Sequence, residues 1–245
     1  MTSQRQVGTA AMAATSDNIA SAIPTYLTSK GVPPTQAWLQ SFLPTVRPTT
    51  PLPALQKTAL FRILATDLQT STQATTLLPS NISNPGVKET RIPGPVTVQV
   101  LDIEDIGRSS WSQVETIEAQ ERGEFTKGRE IVRVVPDENN NAGPEAVAGS
   151  ENKSSGPHKL LLQDAQGTKV FALEFRTVEG VDTSMAIGSK LVIRDCVVAR
   201  GVLMLEPRCV EVLGGKVEVW DRKWREERKR VLQDKAKAYG LGGQG

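Results

Sequence analysis

The period of the apolar residues changes at Val96, and this change constrains the fold more than any other feature of the chain. Upstream, apolar side chains recur every three or four residues, the spacing of one helix face. Downstream they alternate, the spacing of a strand with one buried face. Residues 17–30 place Ile19, Ile23, Tyr26 and Leu27 on one stripe, behind Ser16 or Asp17 as a cap. Pro24 lies inside that stripe and predicts a kink or a late start, because proline lacks the N–H and crowds the preceding turn. Thr35 follows a break at Gly31, Pro33 and Pro34, and is placed to cap a second helix with Trp38, Leu39, Phe42 and Leu43. Pro53 suits the first turn of a third helix, 53–70, with Leu60, Ile63, Leu64 and Leu68 on one face. Three such helices imply a small bundle over 17–70. Residues 1–16 read as a disordered tail, and the Thr/Ser/Asn/Pro-rich stretch 71–95 as an extended linker.

From Val96 to Ile103 the chain alternates as a half-buried strand. Lys159–Asp164 and Val170–Phe175 flank a turn at Asp164–Gly167 and predict a hairpin. Residues 190–198 and 202–205 flank a turn at Arg200–Gly201, and residues 210–215 close the set. Five strands closed by the segment 210–215, with a longer connection over 176–188, fit a small Greek-key barrel of the OB type. The expected fold class is therefore α+β: a three-helix bundle packed with a five-stranded OB barrel over 96–215, then a charged C-terminal helix and tail over 216–245. The first two strands are separated by residues 104–157, where a compact barrel uses a few. Its first part, with Trp111, Val114 and Ile117, reads as a short amphipathic helix or docking motif. Its second part, 137–156, is rich in Asn, Gly, Ser and Glu, has little to bury and is expected to be disordered.

Charge is distributed unevenly. Residues 1–95 hold seven Lys/Arg against three Asp/Glu, residues 96–215 thirteen against nineteen, and residues 216–245 nine against five. An acidic middle argues against a barrel whose main task is to wrap a phosphate backbone. Phe171 and Phe175 share one strand face and are expected to fill the core. The Lys/Arg-rich C-terminal helix, with Arg222, Lys223, Arg225, Lys229 and Arg230, is the better candidate for weak DNA contact, against a solvated face of ion pairs. Cys196 and Cys209 form no CxxC pair and read as buried thiols in a reducing compartment. No apolar run approaches the ~20 residues of a membrane helix, and the alanine-rich start lacks a leucine-rich signal core. A soluble intracellular protein is expected.

The search for chemistry is nearly empty. His158 is the single histidine and reads as a strand-edge residue. Asp102, Glu104 and Asp105 are close in sequence, but neighbours on a strand point to opposite faces, so a solvated strand end is favoured over a metal site. No phosphate-cradling glycine loop is present. No catalytic residue, metal, cofactor or small-molecule substrate is expected.

Several segments together resemble the RecQ-mediated genome instability protein 1 family in its short fungal form. They are Leu101–Val114, Lys159–Gly167, Ile187–Ile193, Gly201–Pro207 and Val210–Val217, with Trp38–Leu39, Arg47–Pro48 and the third helix upstream. Ile187 stands where the family often has proline, and no second OB domain is seen. The resemblance implies a non-catalytic nuclear subunit that joins a type IA topoisomerase III and a RecQ-family helicase in unlinking double Holliday junctions. It implies a protein-binding barrel whose insertion enters the topoisomerase gate. Ser109, Ser110, Trp111, Val114, Ile117 and Lys190 are the expected contact residues. The alternatives are a free-standing single-stranded DNA-binding OB-fold protein and, with little support, an enzyme using His158 or Asp102.

Overall fold

The computed structural model describes residues 19–47, 50–123, 125–127, 130–132 and 156–241. The tail 1–16 and almost all of 137–156 lie outside the described residues. The helical part begins with α1 (19–29), followed by α2 (Gln36–Phe42), a 3-10 turn (Leu43–Thr45), α3 (Leu52–Leu64) and the single turn α4 (Leu68–Ser71). Helix α1 runs through Pro24 and buries Ile23 and Leu27. Thr35 caps α2 by accepting the Trp38 N–H, and Trp38 stacks on Phe42 with ring centroids 5.0 Å apart. These side chains form one apolar cluster with Leu55, Ala59 and Ile63.

The third helix stops earlier than its apolar stripe predicts. It ends at Leu64, and Asp67 caps the new turn α4 by accepting the Gln69 N–H. The break has a tertiary cause. The Leu64 and Thr66 carbonyls turn toward Lys190 Nζ, at 3.0 and 2.6 Å, and the Leu68 N–H turns to Gln99 Oε1 at 2.9 Å. The stretch expected as an extended linker also packs. Leu78 and Ile82 enter the sheet's core, and the Leu78 N–H donates to the buried carboxylate of Asp164.

The sequence predicts five strands, whereas the main sheet has eight: β1 (Glu89–Ile92), β2 (Val96–Asp105), β5 (His158–Asp164), β6 (Lys169–Glu174), β7 (Lys190–Ile193), β8 (Cys196–Ala199), β9 (Val202–Leu205) and β10 (Val210–Gly214). A separate hairpin, β3 (Phe125–Lys127) with β4 (Glu130–Val132), lies within the insertion. The sheet order is β1-β8-β9-β6-β5-β2-β7-β10, antiparallel except for β6 with β9. The strand expected over 190–198 is divided at Arg194–Asp195, where Asp195 adopts φ 46. Its first half pairs with β2 and its second with β9, so the chain bends where the sheet curls. β10 is the closing strand read at 210–215, whereas β1 lies in the stretch read as a linker and was not foreseen. The curled sheet encloses Val98, Val100, Leu160, Leu162, Leu191 and Leu203, all fully buried or nearly so. Cys196 and Cys209 are free, buried thiols with their sulfurs 3.0 Å apart.

Helix α6 (Glu218–Leu241) lies back along the sheet. Trp220 and Trp224 pack on the sheet's core. Asp221, in its first turn, accepts the Ile187 N–H and the Arg225 Nε–H, each at 2.9 Å. Burial raises the Asp221 carboxyl's pKa, but the Arg225 and Ile187 hydrogen bonds outweigh burial and hold it below its ordinary value. The folded value lies below the unfolded one of about 3.9, so this carboxylate stabilises the fold above that pH. The contribution is lost as pH falls through the folded pKa. Asp221→Asn is expected to destabilise the protein by about 1–3 kcal/mol near neutral pH. It should also flatten the loss of stability below about pH 4, read from urea midpoints across an acid series.

Candidate partner-binding surface

The insertion is anchored before it projects. Asp105 ends β2 and its Oδ1 accepts the Gly107 N–H, forming the turn that leaves the sheet. Ser109 then caps helix α5 (Ser110–Glu121) by accepting the Ser112 N–H at 3.1 Å. One α5 face is held by the protein itself. Val114 is 2% exposed, and the Gln113 amide donates to the carbonyls of Asp105 and Arg108. Arg228 of α6 donates to Gln113 Oε1, and Lys229 of α6 bridges Glu118 and Glu121 at 3.4 and 2.7 Å. Trp224 Nε1 donates to Asp102 at 2.7 Å and Lys235 pairs with Glu104 at 2.9 Å. The acidic strand end expected to be solvated is therefore a seat for the C-terminal helix. Among the described residues, no group of His, Cys, Asp and Glu could hold a metal ion.

The six expected contact residues separate into three groups. Trp111 is 56% exposed on the outer face of α5 and does not fold back onto the sheet, and Ile106 beside the turn is also exposed. Ser109 and Ser110 start the helix, Ser109 as its cap, and Ile117 is half-buried. Val114 and Lys190 both face inward in the free chain. Lys190 is 1% exposed, and its three N–H groups meet the carbonyls of Leu64, Thr66 and Gly188 at 3.0, 2.6 and 2.7 Å. Burial lowers its pKa to about 8, against the pull of Asp67. Lysine at a strand start resembles a surface contact in sequence; only the unpaired carbonyls at the end of α3 explain its burial. Lys190→Met leaves those carbonyls without donors and is expected to cost about 3 kcal/mol, measured as a lower urea midpoint with an unchanged slope.

The C-terminal basic residues are similarly divided. Arg225 and Lys229 are engaged in the ion pairs described above, whereas Arg222, Lys223 and Arg230 are exposed. His158 is buried rather than at an exposed edge. Its Nδ1 and backbone N–H both meet Glu174 Oε2, while Glu174 Oε1 accepts the Val178 N–H. That arrangement ties two strands and a loop together. Phe171 and Phe175, expected in the core, are 48% and 59% exposed. Sequence reasoning assigned the wrong face of β6 to the interior, and the His158–Glu174 pair is the signal that could have corrected it.

Comparison with known proteins matches both parts of this architecture. Residues 27–71 match the family model described as the RMI1 N-terminal helical domain, and residues 78–228 match the RMI1 N-terminal OB-fold domain. RecQ-mediated genome instability protein 1 of Schizosaccharomyces pombe is 30% identical over 221 residues, spanning 84% of this chain and 91% of that protein. The Xenopus laevis protein of the same name is 29% identical over 150 residues, 58% of this chain and 23% of its own length. The Mus musculus protein is 26% identical over 167 residues, 67% of this chain and 24% of its own length. With a helical domain, an OB-fold domain and a near full-length fungal relative all in register, the chain belongs to the RecQ-mediated genome instability protein 1 family.

Proposed function

We propose that this chain is a non-catalytic nuclear subunit that binds topoisomerase III through the OB-fold and its insertion. In this role it modulates opening of the topoisomerase gate within a RecQ helicase complex and promotes dissolution of double Holliday junctions. The sheet is read as a five-stranded OB barrel whose fourth strand is broken at Arg194–Asp195, closed by β10 and with β1 added at its edge. The observation that carries the proposal is Trp111. A large aromatic exposed on a helix whose other face is locked down resembles the anchor of a protein interface. Such a helix loses little freedom on binding, so less of the contact energy is spent on ordering it.

The mechanism is a shift between two gate states. A type IA enzyme cuts one strand and opens. An insertion that contacts the open gate better than the closed one holds it open longer, by its difference in affinity for the two. A preference of about 1.4 kcal/mol shifts the ratio tenfold. Family membership supports involvement in RecQ-mediated genome stability. The burial of His158 and its pairing with Glu174 support a structural role for the chain's one histidine.

Trp111→Ala is expected to leave the thermal midpoint within about 2 °C of wild type, as for an exposed site. The same substitution should weaken a one-to-one complex with a fungal topoisomerase III at least ~tenfold by calorimetry. Unchanged affinity would remove α5 from the interface.

A further inference from the structure

The two cysteines, which the topoisomerase reading does not use, meet at the bend in the sheet. Cys196 begins β8, directly after the break at Arg194–Asp195, and pairs with Ile92 of β1. Cys209 ends the short turn between β9 and β10, and its N–H closes that turn on the Glu206 carbonyl at 3.0 Å. The Cys209 carbonyl accepts the Arg194 N–H at 2.9 Å, so the turn is already hydrogen-bonded to the break. Cys196 is 0% and Cys209 4% exposed, with their sulfurs 3.0 Å apart. That separation is inside the van der Waals contact of two sulfur atoms and about 1 Å longer than a disulfide bond. Pro207 and Arg208, beside Cys209 on the turn, are exposed. Opening this one turn uncovers the Cys209 sulfur, while Cys196 lies on a strand of the core.

The polar surroundings give the two thiols different roles. The Glu206 N–H donates to Cys209 Sγ at 3.3 Å, and the Cys196 sulfur lies 3.0 Å from the Met204 carbonyl. The hydrogen bond with Cys196 is the largest influence on the Cys209 thiol, whose pKa is lowered to about 7. The Glu206 N–H and the Arg208 guanidinium act in the same direction, against burial and the Glu206 carboxylate. The Cys196 pKa is raised, by its hydrogen bond to Cys209 and by burial. The thiolate is the nucleophile in thiol chemistry. Cys209 is therefore the attacking sulfur and Cys196 the resolving one.

We infer that Cys196 and Cys209 form a peroxide-sensing site, oxidised to a reversible disulfide that clamps the start of β8 to the turn before β10. The Cys209 thiolate attacks one oxygen of hydrogen peroxide. The S–O bond forms, the O–O bond breaks, and the departing hydroxide is protonated to water, leaving Cys209 as a sulfenic acid. The Cys196 sulfur then attacks the Cys209 sulfur. The S–S bond forms, the S–O bond breaks, and the hydroxide leaves as water with the Cys196 proton. The thiol pair thus loses two electrons and two protons, and the peroxide is reduced to two waters. In a compartment that keeps thiols reduced, such a disulfide is transient. It closes a loop between residues 13 apart, which restricts the unfolded chain, so the oxidised form is the more stable one. This inference rests on neither Trp111 nor a topoisomerase contact.

The test is mass spectrometry of the full, reduced chain after treatment with hydrogen peroxide, with the remaining thiols alkylated in denaturant. The expected product is a monomer lighter by two hydrogens, with the Cys196 and Cys209 peptides joined and separable by dithiothreitol. Its melting temperature should lie about 5 °C above that of the reduced chain. Cys196→Ala should hold Cys209 as a sulfenic acid that dimedone traps, whereas Cys209→Ala should give no such adduct at Cys196. The wild-type measurements need no variant, so they stand even if an alanine chain fails to fold. The inference is overturned if both thiols remain alkylatable after peroxide, if disulfides form only between chains, or if sulfinic acid forms without a disulfide. An adduct at Cys196 in place of Cys209 overturns the order of attack. A melting temperature unchanged or lowered by the cross-link overturns the clamp.

Discussion

The fold depends on one buried ammonium. Lys190 begins β7, yet its side chain reaches the end of α3 and presents its three N–H groups to three backbone carbonyls. Burying a charge away from water is costly, and the contact persists because every donor has an acceptor. Its neighbours are arranged around it. Gly215, at φ +94, passes so close to Leu64 that an added Cβ would lie 2.4 Å from the Leu64 carbonyl oxygen. Gln99 donates to Asp67 and Gln163 while accepting the Leu68 N–H, and Thr97 donates to the Gly31 carbonyl. The helical part and the sheet are therefore joined by polar contacts with defined directions, which apolar packing alone would not provide.

Much of the architecture is legible in the sequence because it is local. The stripe through Ile23 and Leu27, the Thr35 cap and the hairpin turn at Asp164–Gly167 all follow from spacing and turn chemistry. The misreadings are tertiary in origin. The third helix breaks after Leu64 because its carbonyls serve Lys190, and propensity carries no trace of a partner more than a hundred residues away. The fourth strand divides at Asp195 because the sheet must curl there. On β6, hydrophobicity favours the face with Phe171, Leu173 and Phe175 as the interior. The structure buries Val170, Ala172 and Glu174 instead, because His158 and the Val178 N–H satisfy the Glu174 carboxylate.

The candidate surface was partly legible for the same reason. An exposed tryptophan in a polar insertion stands out in sequence, whereas the support beneath it does not. Helix α6 reads as a charged surface helix, yet Trp224, Arg228, Lys229 and Lys235 all reach back to β2 or α5. Surface ion pairs of this kind contribute little individually. Here they act together with buried Val114 and Gln113 to fix the face that Trp111 presents.

The central claim is that α5 is a preset contact element on a body held together at Lys190. Hydrogen–deuterium exchange of the chain, free and bound to topoisomerase III, tests it most directly. The account predicts that residues 110–121 are already protected in the free chain and gain further protection in the complex, while the strand beginning at Lys190 exchanges slowly and equally in both. A helix unprotected until the partner binds, or protection gained at the Lys190 seam and not at α5, would contradict it.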